Sequence, residues 1–227
     1  MTLGAGIKYG YPLSEADSVS VGFNAEDVDL NLYSNSPYAY TQFASDFGTH
    51  YTYGSTTLGW AHDTRDSVII PTSGVLSSAN LEVGAGNLEY YKLNFSQQWL
   101  KPLSREYTLR LVGTLGYGGG IGNKPLPFFK NYYAGGPDTV RGYATYSLGP
   151  RDPLNNALGG SREVIGTAEI LFPMPGAQND KSIRLSAFVD GGQVYGEGEQ
   201  VSLSDLRYSA GLGLNWFVMR RLSGDPF

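Results

Sequence analysis

Cysteine is absent from the 227 residues and histidine occurs only twice. Without thiols there can be no disulfide framework and no thiolate metal site. His50 and His62 are too few to build a histidine-based metal centre. Charge is sparse too: 16% of residues are charged and the net charge is -5, which argues against non-specific binding to nucleic acid. Long hydrophobic runs are missing, and no stretch approaches the roughly 18 apolar residues that a membrane helix needs. No Gly-x-Ser-x-Gly elbow, phosphate-binding loop or metal-ligand spacing is present. Neither catalysis nor a cofactor, metal or small-molecule substrate is therefore expected. Met1 runs directly into strand-like sequence without a basic and then apolar leader, so the chain as written is expected to carry no export signal.

Glycine (31 residues) and tyrosine (17) are abundant instead, glycine at near twice its usual share of about 7%. The dominant pattern has a period of two. In Leu206–Trp216 the even positions are Leu206, Tyr208, Ala210, Leu212, Leu214 and Trp216, and the odd ones are Arg207, Ser209, Gly211, Gly213 and Asn215. Only a strand segregates residues to two faces at that period. Similar alternation marks Leu3–Leu13, Asp17–Ala25, Val75–Gly86, Tyr90–Trp99, Tyr107–Tyr117, Glu163–Phe172 and Ser182–Tyr195, and more weakly His50–Ala61. Nine strands are expected.

The connections alternate in length. Pro12–Ser18, Arg65–Gly74, Pro102–Glu106 and Pro173–Lys181 are fairly short, whereas 29–49, 118–162 and 193–205 are long and 85–89 is not. Short turns at one end and long loops at the other form the meander of an outer-membrane barrel. Tyr9, Tyr11, Tyr90, Tyr91, Trp99, Tyr117, Phe172, Tyr195 and Trp216 lie near strand ends, where interfacial aromatic girdles would sit. A soluble β-sandwich of adhesin or lectin type is the alternative. Strands of about 10 residues exceed the usual 5–6, and their polar faces carry glycine and serine rather than dense charge. The expected fold is all-β: an antiparallel up-and-down transmembrane β-barrel over residues 1–217. His50 and His62 read as polar strand and strand-end residues, and the sequon Asn94-Phe95-Ser96 falls mid-strand.

The long segment 118–162 holds Gly135-Gly136-Pro137-Asp138-Thr139-Val140-Arg141-Gly142-Tyr143. A loop of this length is usually functional. Its arginine either faces external water or turns back to a carboxylate in the lumen. Parity places Glu169 with Glu163 and Thr167, opposite Val164, Ala168, Ile170 and Phe172. It places Asp190 with Arg184 and Ser186, opposite Ile183, Leu185, Ala187 and Val189. Both carboxylates thus fall on the polar side, which is the lumen side if the apolar face meets lipid.

The Val140–Tyr143 core resembles that of the bacterial surface antigen superfamily, which includes assembly barrels and polypeptide-secretion barrels of the TamA and two-partner types. The Pro127-Phe128-Phe129-Lys130-Asn131-Tyr132-Tyr133-Ala134-Gly135-Gly136 run and Asn87-Leu88-Glu89-Tyr90-Tyr91-Lys92 are similar to the BamA family, central barrels of the bacterial outer-membrane protein assembly machine. The resemblance covers about residue 2 to Phe217. It implies a barrel of about sixteen strands, of which nine are expected here, with 118–162 folded inward. It implies that Arg141 pairs with Glu169 and Asp190, that Val140, Gly142 and Tyr143 complete a loop-to-lumen latch, and that Gly135 and Gly136 act as its hinge. It further implies residence in the outer membrane and insertion of client β-barrel proteins. The expected partners are outer-membrane lipids, together with clients and assembly lipoproteins engaged through parts of the parent that this sequence lacks. Those parts are the POTRA domains and the strands before Leu3. Residues 218–227 lack the alternation and are expected to be an aberrant, non-barrel tail. Nine strands cannot close a ring, so an isolated chain is expected to aggregate, stay an open curved sheet or need a partner.

Overall fold

The computed structural model describes residues 1–122, 124–176 and 182–216. The tail expected at 218–227 and the boundary at Phe217 lie outside the described residues. Nine strands are described: β1 (Thr2–Pro12), β2 (Asp17–Asp29), β3 (His50–Asp63), β4 (Gly74–Gly86), β5 (Tyr90–Pro102), β6 (Thr108–Gly120), β7 (Arg162–Pro173), β8 (Ile183–Tyr195) and β9 (Arg207–Trp216). They form one sheet in sequence order, every neighbouring pair antiparallel. A single meander, not two packed sheets, excludes the sandwich. β1 and β9 are not paired with each other, so the sheet is an incomplete barrel.

Two of the short turns are the same device used twice. Pro12-Leu13-Ser14 and Pro102-Leu103-Ser104 each end a strand. In both, the leucine and serine N–H groups donate to one carbonyl at the start of the next strand, that of Asp17, the first residue of β2 (2.8 and 3.2 Å), and that of Tyr107, just before β6 (2.8 and 3.2 Å). The serine hydroxyls accept backbone N–H groups from Ala16 and Asp17, and from Glu106 and Tyr107. Such local side-chain acceptors favour a tight turn over continued strand.

Register aligns the apolar sets of adjacent strands on one face. Val21 opposes Leu58, Leu58 opposes Leu81, Leu81 opposes Leu93, and Leu185 opposes Leu214. Ile7, Phe23, Leu58, Leu93, Leu115, Ile170, Val189 and Leu212 on this outer face are all exposed. A continuous apolar wall without a covering layer suits lipid rather than water. Strands of 10–14 residues are long enough to cross the hydrocarbon at a barrel tilt, which takes about 9–11.

The structure departs from the sequence expectations in three places. Strand β2 runs on to Asp29, because Glu26–Asp29 pair with Tyr53–His50 despite breaking the apolar alternation. The 29–49 connection contains a helix, α1 (Tyr38–Phe47), which has no side-chain N-cap and therefore no local start signal. Tyr90 and Tyr195 are buried instead of facing an interface. The Tyr90 hydroxyl bonds Glu82 and that of Tyr195 bonds the Ser202 carbonyl.

The core lies between the sheet's inner face and the 124–161 segment. It forms two clusters. Val28, Tyr51, Tyr53, Leu88, Tyr90 and Leu126 make one, with Phe43 of α1 and Phe129 packed on it. Tyr132, Ala134, Val140, Leu148 and Val194 make the other, with Tyr143 and Ile165 against it.

Candidate functional site: a loop arginine on two buried carboxylates

Beyond a 3-10 turn at Phe128–Lys130, the inward loop runs along the inner face through isolated bridges from Tyr132 to Gly160 and from Ala134 to Leu148. Gly135 and Gly136 take φ of 101° and 103°, and Gly142 takes 85°, values that L-residues with a Cβ rarely adopt. Between them the chain makes a tight return. The Gly136 N–H reaches the Val140 carbonyl at 3.2 Å, and the Thr139 hydroxyl accepts the Gly135 N–H at 2.8 Å. Val140 is fully buried and seats on Gly192 of β8, where a Cβ would come within 2.7 Å of its methyl.

That return points Arg141 at β7 and β8. Its Nε and Nη2 donate to the two oxygens of Asp190 at 2.7 and 2.8 Å, and its own backbone N–H adds a third bond to Asp190 at 3.0 Å. Nη1 donates to Glu169 Oε1 at 3.0 Å. The guanidinium lies 3.4 Å from the centroid of the Phe188 ring, a cation–π contact. Parallel N–H donation to both oxygens of a carboxylate is the geometry that arginine's rigid fork serves and lysine cannot reproduce. The Asp190 and Glu169 side chains are 0% and 1% accessible, while Arg141 keeps 26%. The carboxylates are therefore the dehydrated partners, and the loop arginine is what covers them.

Two supporting residues were not read from the sequence. Arg110 of β6 stands directly opposite Glu169 in the register and donates to its second oxygen at 2.8 Å. Thr167 opposes Asp190 and donates its hydroxyl at 3.0 Å. Arg110 makes the group neutral, with two cations and two anions, and buried charge requires such compensation. Parity alone would have put Arg110 on the inner face with Thr108 and Thr114, a signal available but unused. Tyr143 extends the contact to β9, its hydroxyl donating to the Tyr208 carbonyl at 3.1 Å. The return thus touches three adjacent strands, β7 to β9, and Arg110 brings in β6 through Glu169.

His50 and His62 sit at strand ends with carboxylate neighbours, Asp29 at 2.7 Å and Asp17 at 2.9 Å. Asp27, Asp29 and His50 lie close enough together to hold an ion, but they are largely solvent-exposed and already paired with one another.

An antiparallel meander with an apolar outer wall, short turns at one end and a long loop folded onto its inner face defines an outer-membrane-type barrel. An Omp85 superfamily domain matches residues 1–218, and the chain belongs to that superfamily. It is 37% identical over 254 aligned positions to the outer membrane protein assembly factor BamA of Neisseria meningitidis serogroup B, covering 95% of this chain and 32% of that protein. It is 32% identical to the sorting and assembly machinery component 50 homolog A of Xenopus laevis, covering 67% of this chain and 36% of that protein. The chain thus spans about a third of the length of these curated relatives. In fold it is similar to BamA from Haemophilus ducreyi lacking POTRA domains 1–3, with a TM-score of 0.79 at 22% identity over 95% of this chain and 48% of that one. CdiB from Acinetobacter baumannii gives 0.60 at 15% identity over 96% of this chain and 36% of that one.

Proposed function

We propose that this chain forms part of the wall, together with the inward loop, of an outer-membrane barrel that folds and inserts other β-barrel proteins. In this reading Val140, Arg141, Gly142 and Tyr143, with Glu169 and Asp190, latch the loop to the wall, and Gly135 and Gly136 are its hinge. Its partners are the surrounding outer-membrane lipids and incoming client barrels. The observation that carries the reading is the four-bond seat of Arg141 on two carboxylates that are otherwise cut off from water. Such a seat holds a long loop inside the barrel in one position, which a loop free in external water would not need. Identity to an assembly factor over 95% of the chain supports insertion over secretion, since the secretion-type likeness is weaker and one of fold.

No bond is made or broken in this work. The wall presents strand edges and an apolar belt to the bilayer, and the latch sets the shape of the lumen beside them. The test reconstitutes the complete barrel of which this chain forms part in phospholipid vesicles and adds a urea-denatured eight-stranded outer-membrane protein. The barrel should accelerate client folding several-fold over empty vesicles, and Arg141→Ala should lose most of that gain. Equal rates with and without the barrel would overturn the proposal.

A further inference from the structure

The inward loop carries a second charged contact that the Arg141 latch does not use. Lys130 closes the 3-10 turn Phe128–Lys130, eleven residues before Arg141. Its ammonium lies 3.1 Å from Glu82 Oε1 of β4 and 3.8 Å from Glu26 Oε2 of β2. Each carboxylate also accepts a phenol: Tyr53 of β3 donates to Glu26 at 2.5 Å, and Tyr90 of β5 donates to Glu82. The rings of Tyr53 and Tyr90 lie 5.4 and 5.2 Å from the ammonium. Four consecutive strands, β2 to β5, thus build one receptor for a single loop cation. The Lys130 side chain is only 17% accessible, so its charge is largely withdrawn from water and depends on those carboxylates.

We propose that Lys130 is a second anchor, making the loop a strap fastened at two independent points: Lys130 to β2 and β4, and Arg141 to β7 and β8. The packing divides the same way. Leu126 and Phe129 belong to the cluster over β2–β5, whereas Tyr132, Ala134 and Val140 belong to the one over β7 and β8, and no residue is shared. Helix α1 packs on the first limb, through Tyr40 stacked on Phe128 at 4.0 Å and Phe43 edge-on to it at 5.6 Å, and the Tyr40 hydroxyl also meets that of Tyr133 at 2.9 Å and the Ala157 and Leu158 carbonyls. Each limb has its own ion-pair seat and its own cluster, so one can loosen while the other stays seated. A strap held at both ends ties the two halves of the sheet across the β5–β6 junction, a restraint that a single latch cannot supply. The inference extends the proposed latch but rests on different residues.

Hydrogen exchange of the complete barrel of which this chain forms part, in detergent micelles, tests it, since exchange reports opening segment by segment. Lys130→Met should speed exchange in 124–131 and in α1 by about tenfold or more, the loss expected for a charged hydrogen-bonded contact. Residues 135–144 should stay within about twofold of the parent. Arg141→Ala should give the reverse pattern, and Lys130→Arg should stay near wild type because it keeps the charge. Glu82→Gln is the milder companion, keeping an acceptor for Tyr90 while weakening the ion pair, and should loosen the same first limb to a lesser degree. Unchanged protection of 124–131 in both Lys130→Met and Glu82→Gln would overturn the proposal, as would equal loosening of both limbs by either loop variant. The readout is independent of client folding, so the insertion reading and the two-anchor reading can fail separately.

Discussion

Reversing the charge at Asp190 with arginine would set two guanidinium groups against each other in a site that now holds a neutral group of four. Arg141 would lose three of its four bonds to carboxylate, namely Nε, Nη2 and the backbone N–H. Glu169 would remain, held by Arg110. Breaking a buried ion pair from one side costs about 3–5 kcal/mol, because the surviving charge stays dehydrated. Arg141 is a quarter accessible and can turn partly toward water, so the lower end, about 3 kcal/mol, is expected. That is roughly a hundredfold in the unfolding equilibrium, and a fall of about 1 M or more in the urea midpoint. The assay is urea unfolding of the complete barrel of which this chain forms part, in detergent micelles, followed by tryptophan fluorescence. The second arm adds Arg141→Asp to the same chain. Because the two groups touch, the double variant should recover about 1–2 kcal/mol of the loss. Recovery should be partial, since the swapped fork no longer has its own backbone N–H beside the carboxylate. Strictly additive losses would show that the two groups do not act as a pair, and would refute the latch.

Two further outcomes follow from the geometry. Gly135→Ala should destabilise the chain by more than about 1 kcal/mol in the same assay, because φ is positive and the added Cβ would meet the Ala144 carbonyl oxygen at 2.6 Å; Gly113→Ala, with open space around it, is the control and should stay within about 0.5 kcal/mol. In the 64–73 turn, burial raises the Asp66 carboxyl, but bonds from the Thr72 hydroxyl and the Thr72 and Ser73 N–H groups outweigh it and bring it down to about 2. A carboxylate lowered on folding stabilises the native state above its unfolded pKa of about 3.9 and loses that contribution as pH falls toward 2. Stability measured from pH 5 to pH 2 should therefore fall less steeply in Asp66→Asn than in the parent, and identical slopes would refute the turn's role.

Strand parity was legible in the sequence because it is local: side chains alternate by the backbone's own geometry, whatever the strand pairs with. The nine alternating segments, their up-and-down order and the inner placement of Glu169 and Asp190 all follow from it. Helix α1 was not legible, since it has no side-chain N-cap and it stacks on Phe128 of a segment some eighty residues away. Tyr90 and Tyr195 misled for the same reason. An aromatic near a strand end reads as interfacial until a loop covers it.

The sequence by itself determined the class of fold, the facing of the residues in the alternating segments and, through the motif around Arg141, the family resemblance. Only the tertiary structure decided the partners: that Arg110 shares Glu169, that Val140 fits on Gly192, and that Lys130 meets Glu26 and Glu82. These contacts join residues from 48 to 104 positions apart. Period and parity place a charge on a face, but they carry no information about which distant charge the register and the loop's return will bring within hydrogen-bond reach.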